Sequence, residues 1–148
     1  MAIKRKVNAV WTGSGFEGQG SLSSSNQFFK ETPYSFKGRF ENEDGTLGTN
    51  PEELIAAAHA GCYAMALSVG ISKAGFEAKK VDANATVIME KGEAGFSISE
   101  IQLHVEGNVP GMDEAQFMEL AKGAKAGCPV SRALGAVNIT LEAKFVSA

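Results

Sequence analysis

Apolar and polar residues alternate with a period of two over several stretches, the pattern of half-buried strands. Val7, Ala9 and Trp11 share one face of a first strand. Gly13, Gly15, Gly18 and Gly20 punctuate a turn into a second, serine-rich strand. Tyr34, Phe36, Gly38 and Phe40 line one face of a third, with Ser35, Lys37 and Arg39 pointing the other way. Val81, Ala83, Ala85, Val87 and Met89 form a fourth. Phe96 and Ile98 open a fifth, whose phase slips before Ile101, Leu103 and Val105, so a bulge is predicted near Ser99 and Glu100. Val137, Ile139, Leu141, Ala143 and Phe145 make a last strand.

Helical signals fall between the third and fourth strands and between the fifth and last. In Thr49-Asn50-Pro51-Glu52-Glu53, Asn50 can cap, Pro51 suits the first turn, and Glu53 completes a capping box while favouring the helix dipole. This helix is predicted to run to about Lys73 and stop at Gly75. A second starts near Asp113, places Phe117, Leu120, Ala121 and Ala124 on one face, and ends at Gly127. Pro129 begins a short third helix with Cys128 as its N-cap.

The helix from Pro51 has no polar face. Between Leu54 and Ile71 only His59, Tyr63 and Ser68 carry polar side chains. A helix apolar all round needs cover all round. A membrane span is a rival reading, but the segment is rich in Ala and Gly rather than Leu and Ile, and it sits among amphipathic strands. Six strands of one protomer can hardly wrap it, so a homodimer with this helix at the interface is expected. Ala56, Ala57, Ala60 and Gly61 would let two backbones approach closely.

Composition narrows the class. The 148 residues suit one domain, 1–148. Apolar residues are 44% and charged residues 21%, a globular balance that excludes disorder over most of the length. A formal charge of −3 lacks the positive field that phosphate backbones need, so nucleic acid is not an expected partner. Two cysteines exclude a disulfide scaffold. Lys4, Arg5 and Lys6 are followed by no apolar secretory stretch, so a reducing cytoplasm is the expected compartment.

The two thiols carry the candidate chemistry. Cys62, in the middle of the apolar helix, reads either as a small core residue or as a functional thiol that needs a nearby cation, since apolar burial alone would raise its pKa. His59, one turn earlier, reads first as a core histidine and second as that cation. Cys128, at a predicted helix start, has the more acidic setting, although a simple capping role also fits. A metal site of Cys62, Cys128 and His59 lacks the short ligand spacings of structural zinc. Arg39 and Glu52 have plain readings as a solvated strand residue and a dipole partner. Glu52 and Cys62 are ten positions apart on one helix, roughly 15 Å, so Glu52 could serve only a partner chain's Cys62, across antiparallel helices.

With these residues in view, the chain resembles the family of osmotically inducible protein C and the organic hydroperoxide resistance proteins. The resemblance rests on Gly48-Thr49-Asn50-Pro51-Glu52-Glu53-Leu54, on Ala58-His59-Ala60-Gly61-Cys62 with Met65-Ala66-Leu67-Ser68, and on Lys125-Ala126-Gly127-Cys128-Pro129-Val130-Ser131. Tyr34 to Phe40, with Arg39, fits a third element, and His59 and Glu53 look more like the osmotically inducible branch. The resemblance implies an α+β fold, with antiparallel sheets wrapping long central helices in an intertwined homodimer. It implies a thiol-dependent peroxidase for organic hydroperoxides, acting in oxidative and osmotic stress without metal or organic cofactor and away from membranes. Cys62 matches the peroxidatic nucleophile, Cys128 the resolving thiol, and Arg39 and Glu52 the electrostatic pair. The implied partners are a hydroperoxide substrate, expected to lie beside Met65, Phe36 and Phe40, and an external dithiol reductant such as a lipoylated protein. A redox sensor or an apolar-ligand-binding dimer using the same thiols is the competing class.

Overall fold

The computed structural model describes residues 1–147. The chain divides into two compact units, Met1–Leu54 and Ile55–Ala148. In the first, β1 (Val7–Thr12), β2 (Gln19–Ser24) and β3 (Thr32–Tyr34) form an antiparallel sheet in that order. Trp11, Gly20 and Tyr34 stand in one row across it. The Trp11 and Tyr34 ring centroids are 5.7 Å apart, and a Cβ on Gly20 would collide with both rings. Glycine is therefore required where the two aromatics close over the backbone.

The third strand ends earlier than its alternation suggested. Ser35 is extended, its hydroxyl accepts the Gly38 N–H at 3.0 Å, and Phe36–Phe40 forms a short helix, α1. Positions 36 and 40 share a face in either structure, because four residues is two strand periods and about one helical turn. The serine cap breaks the tie toward helix, and the Phe36 and Phe40 rings meet at 4.7 Å between centroids. Arg39 accordingly stands on a helix, not on the strand expected for it.

The helix from Pro51, α2 (Pro51–Lys73), has the boundaries read from the sequence. Asn50 Oδ1 accepts the Glu53 N–H at 2.8 Å, and the Glu53 carboxylate accepts the Thr49 hydroxyl at 2.8 Å. Farther along, His59, Tyr63, Leu67 and Ile71 form a buried stripe at four-residue spacing. The last three pack with Leu103, Val105, Val109, Met112, Phe117, Ala121 and Ala124 as the core of the second unit. The expected all-round burial is not reached within one chain. Met65 is 69% exposed and Val69 47%. By length and composition α2 could also cross a membrane, and only 22% of its most apolar window is buried.

The second unit is built on β4 (Lys80–Gly92) and β5 (Gly95–Asn108), a long antiparallel hairpin. Ile88 pairs with Glu100 and Met89 with Ile98, so Ser99 is the extra residue of a bulge, where the phase slip placed it. β6 (Asn138–Phe145) lies beside β5 but parallel to it. This sheet is therefore mixed, whereas antiparallel pairing was expected throughout. A parallel neighbour needs a crossover, and α3 (Glu114–Gly127) with α4 (Pro129–Ala133) supplies it. Asp113 caps α3, accepting the Gln116 N–H at 2.8 Å.

Phe117 of α3 is fully buried, with its ring 5.4 Å from that of Phe145. A Cβ at Gly107 of β5 would run into the Phe117 ring. Gly107→Ala is expected to force that ring out of place and destabilise the protein by about 1–3 kcal/mol, measured as a lower urea midpoint at unchanged slope.

Candidate active site

Cys62 lies one position before Tyr63 of the buried stripe, so its side chain stands at the stripe's edge and remains partly accessible. Cys128 joins α3 to α4 and is fully buried. The two sulfurs are free thiols, 2.7 Å apart, sharing a thiol hydrogen. A disulfide needs a separation of about 2.04 Å, so bond formation asks for little movement. α2 is tied to the middle of α3 by Tyr63, whose buried hydroxyl donates to the Ala121 carbonyl at 3.0 Å.

The two thiols are electrostatically unequal. Burial pushes the Cys62 thiol above its ordinary pKa, and the Cys128 thiol beside it pushes the same way, against a weaker hydrogen bond from the Val130 amide. Burial is also the largest single influence on Cys128, again upward. There, hydrogen bonds from Cys62, from the amide and hydroxyl of Ser131 and from the Val130 amide together outweigh it and hold the thiol below its ordinary value. The Ser131 N–H lies 3.5 Å from Cys128 Sγ, the capping contact expected of Cys128. Among the described residues, burial, Cys128 and the Val130 amide act on Cys62, and none of these is a cation.

His59 is fully buried, and its Nε2 is 2.6 Å from Ser131 Oγ. Among the described residues no three His, Cys, Asp or Glu side chains gather as a metal-binding group. Burial lowers the His59 pKa, so the imidazole is held neutral.

In the first unit, Arg39 of α1 and Glu52 of α2 form a bidentate pair. Arg39 Nη2 donates to Glu52 Oε1 at 2.7 Å, and Nε lies 3.2 Å from each carboxylate oxygen. The Glu52 side chain is 13% exposed against 36% for Arg39, so the guanidinium retains an open side while the carboxylate is spent on holding it. The Arg39 guanidinium also lies 4.9 Å from the Phe40 ring centroid, and Phe16 meets Phe36 edge-on at 5.1 Å. Of the three residues expected beside the substrate, Phe40 lies against the arginine and Phe36 packs on Phe40. The third, Met65, is an exposed residue of α2.

An α+β chain carrying a contacting thiol pair and a clamped arginine belongs among thiol-redox proteins, and comparison with known proteins narrows that class. Residues 42–142 match the family model described as OsmC-like protein. The chain is 45% identical to Peroxiredoxin OsmC of Escherichia coli (strain K12) over 147 residues, covering 99% of this chain and 100% of that protein. It is 32% identical to organic hydroperoxide resistance protein OhrB of Bacillus subtilis (strain 168), over 69% of this chain and 74% of the relative. The crystal structure of that OhrB superposes with a TM-score of 0.68, covering 94% of this chain and 98% of the other, at 26% identity. The chain belongs to the OsmC family.

The residue that sequence reasoning missed is Ser131. In the sequence it is only the last residue of the motif at 125–131, yet its hydroxyl links His59 to the Cys128 environment. Its position three residues after the Cys128 cap was the available signal, since that is where a cap meets its amide partner. The buried His59 also generates a pH dependence. Its folded pKa lies below the unfolded 6.5, so the unfolded chain binds more protons at acid pH. Its contribution to stability is complete above 6.5 and is lost as the pH falls through that value toward the folded pKa. Urea midpoints measured from pH 8 to 5 should drop on the acid side, with a flatter profile for His59→Gln.

Proposed function

We propose that this chain is a thiol-dependent peroxidase that reduces organic hydroperoxides to alcohols, with Cys62 as nucleophile and Cys128 as resolving thiol. The observation that carries the reading is the sulfur pair, in contact but unequally exposed: peroxide can reach Cys62, while Cys128 is fully buried behind it. The names of the OsmC and organic hydroperoxide resistance relatives support the same chemistry. The Cys62 thiolate attacks the distal oxygen of ROOH. The O–O bond breaks, the alkoxide takes a proton and leaves as alcohol, and Cys62 becomes a sulfenic acid. Cys128 then displaces hydroxide from that sulfur and forms the disulfide, which an external dithiol reduces by exchange. A lipoylated protein is the proposed physiological donor, and the cytoplasm is the proposed compartment.

Burial and Cys128 oppose ionisation of Cys62, so the proposed site needs a cation. Arg39, held by Glu52, has the fork geometry to stabilise both the thiolate and the charge developing on peroxide oxygens. Phe36 and Phe40 beside it offer apolar surface to the organic part of the substrate. Glu52 stands ten residues before Cys62 on α2, roughly 15 Å along the axis, so the proposed active unit is a homodimer. Two α2 helices crossing antiparallel would cover the exposed Met65 and Val69 face and bring each arginine pair toward the other chain's Cys62.

A steady-state assay of peroxide consumption with dithiothreitol tests the activity. Many equivalents of cumene hydroperoxide should be consumed, with a higher kcat/KM than for H2O2. Cys62→Ser should abolish turnover, whereas Cys128→Ser should still support one oxidation of Cys62. A single stoichiometric oxidation in the unaltered protein would mark a sensor instead, and equal loss of the first oxidation in both variants would collapse the role assignment.

The shared site has its own test. A purified heterodimer of one Cys62→Ser chain and one Glu52→Ala chain contains one complete site. It should recover about half the wild-type activity per dimer, although each parent is inactive. A heterodimer as inactive as its parents, or a fully active monomer, would place the whole site within one chain.

A further inference from the structure

The mechanism above uses Cys62, Cys128, Arg39 and Glu52, and leaves one buried polar pair unassigned. His59 and Ser131 are 0% and 6% exposed. They come from different elements, α2 and α4, and meet at 2.6 Å between Nε2 and Oγ. His59 Nδ1 is buried with no hydrogen-bond partner among the described residues. An N–H without an acceptor is the costlier orphan in an interior, so the bare nitrogen is Nδ1 and the proton sits on Nε2. Nε2–H then donates to Ser131 Oγ. With its lone pair engaged by the imidazole, the Ser131 hydroxyl has its own hydrogen left to give.

The recipient is at hand. Ser131 is the residue whose backbone N–H points at Cys128 Sγ, 3.5 Å away, and its hydroxyl is among the groups that hold that thiol below its ordinary pKa. We infer that His59 is a positioning residue for the resolving step: by donating to Ser131 Oγ it turns the serine hydroxyl toward Cys128 Sγ and stabilises that sulfur as the attacking thiolate. The inference rests on the proposed peroxidase reading only for the reaction it serves. The step balances. Cys128 S⁻ attacks the sulfur of the Cys62 sulfenic acid, the S–S bond forms and the S–O bond breaks. Hydroxide leaves with the bonding pair and, with the proton that Cys128 released to solvent on ionising, becomes water. The Cys128 sulfur is oxidised and the sulfenic sulfur is reduced.

The chemistry requires such a device at this thiol. Cys128 is fully buried, and burial by itself disfavours its ionised form. The groups facing it are Cys62 from α2 and the Val130 and Ser131 amides with the Ser131 hydroxyl from α4. Lys122 and Lys125 of α3 and Arg132 of α4 share with Ser131 the lining of a cavity of about 680 Å3. A neutral histidine adds no charge to the site, so it can direct the hydroxyl without attracting an anion of its own.

Two measurements decide the matter. The first needs no peroxide: ultraviolet titration of the Cys128 thiolate in a Cys62→Ser background. His59→Leu and Ser131→Ala should each raise the midpoint by about one pH unit, a tenfold loss of ionised thiol near neutrality. His59→Gln, whose amide N–H can occupy the place of Nε2–H, should restore most of the shift, which a packing role alone would not. Ser131→Ala carries the test if the leucine variant does not fold. The second follows Cys62 sulfenic acid by rapid quench and mass spectrometry after one equivalent of cumene hydroperoxide. Its formation rate should be unchanged, and its lifetime should lengthen about tenfold in both variants, the effect of one hydrogen bond to a charged group. Unchanged midpoints, or slower formation with an unchanged lifetime, would overturn the inference. If the midpoints shift but no sulfenic acid forms even in the protein with intact His59 and Ser131, the positioning of Cys128 stands and the peroxidase reading falls.

Discussion

The stripe of His59, Tyr63, Leu67 and Ile71 along α2 is the constraint on which the second unit depends. These four residues, one turn apart, are the buried side of a helix whose sequence would permit burial on any side. Which face turns inward is decided by where polar atoms can be satisfied. Tyr63 finds the Ala121 carbonyl and His59 finds Ser131, whereas rotation by one residue would leave both groups in apolar surroundings without those partners, each at a cost of about 1–3 kcal/mol. Apolar area drives α2 against α3 and β5, and two polar contacts set its rotation. Cys62 inherits its place at the stripe's edge from that setting.

The crossover from β5 to β6 supplies the other sulfur. Because β6 runs parallel to β5, the chain must return over the sheet face, and α3 with α4 makes that return. The break between the two helices falls at Cys128, whose φ of −60° and ψ of 122° take it out of the helical run. Pro129 enforces that break, since the residue before a proline is driven to extended backbone. The turn that a parallel strand makes necessary is thus also what lets the Cys128 sulfur face α2 while meeting the amides of the next helix.

Much of this was legible in the residues. Both long helices, the Cys128 cap and the bulge at Ser99 follow from caps, proline and the phase of alternation, which are local signals. The misread element was Tyr34 to Phe40, where the period was ambiguous and Ser35 decided for helix. The parallel direction of β6 was not legible, because alternation reports which face of a strand is buried and nothing about its direction. The Arg39–Glu52 pair came from a resemblance, since thirteen residues and a change of element separate its members. The His59–Ser131 contact spans 72 positions. Nothing local in the chain announces a pairing at that distance; only packing of α2 on the α3–α4 junction creates it.

The unequal sulfurs explain why one thiol alone would serve the proposed reaction poorly. A thiol open to peroxide is also open, once oxidised, to a second peroxide that drives it to irreversible sulfinic acid. Protection requires a resolving sulfur already in place, so that condensation outpaces the second encounter. The partner must be close, which a 2.7 Å contact provides, and it must be ionised when needed, which burial opposes and hydrogen bonds restore. It must also be hidden from the oxidant itself, which full burial ensures. These demands conflict on a single exposed residue and are compatible only when divided between two. The accessible sulfur can then borrow its cation from elsewhere, while the buried one draws its stabilisation from neutral donors fixed by the fold.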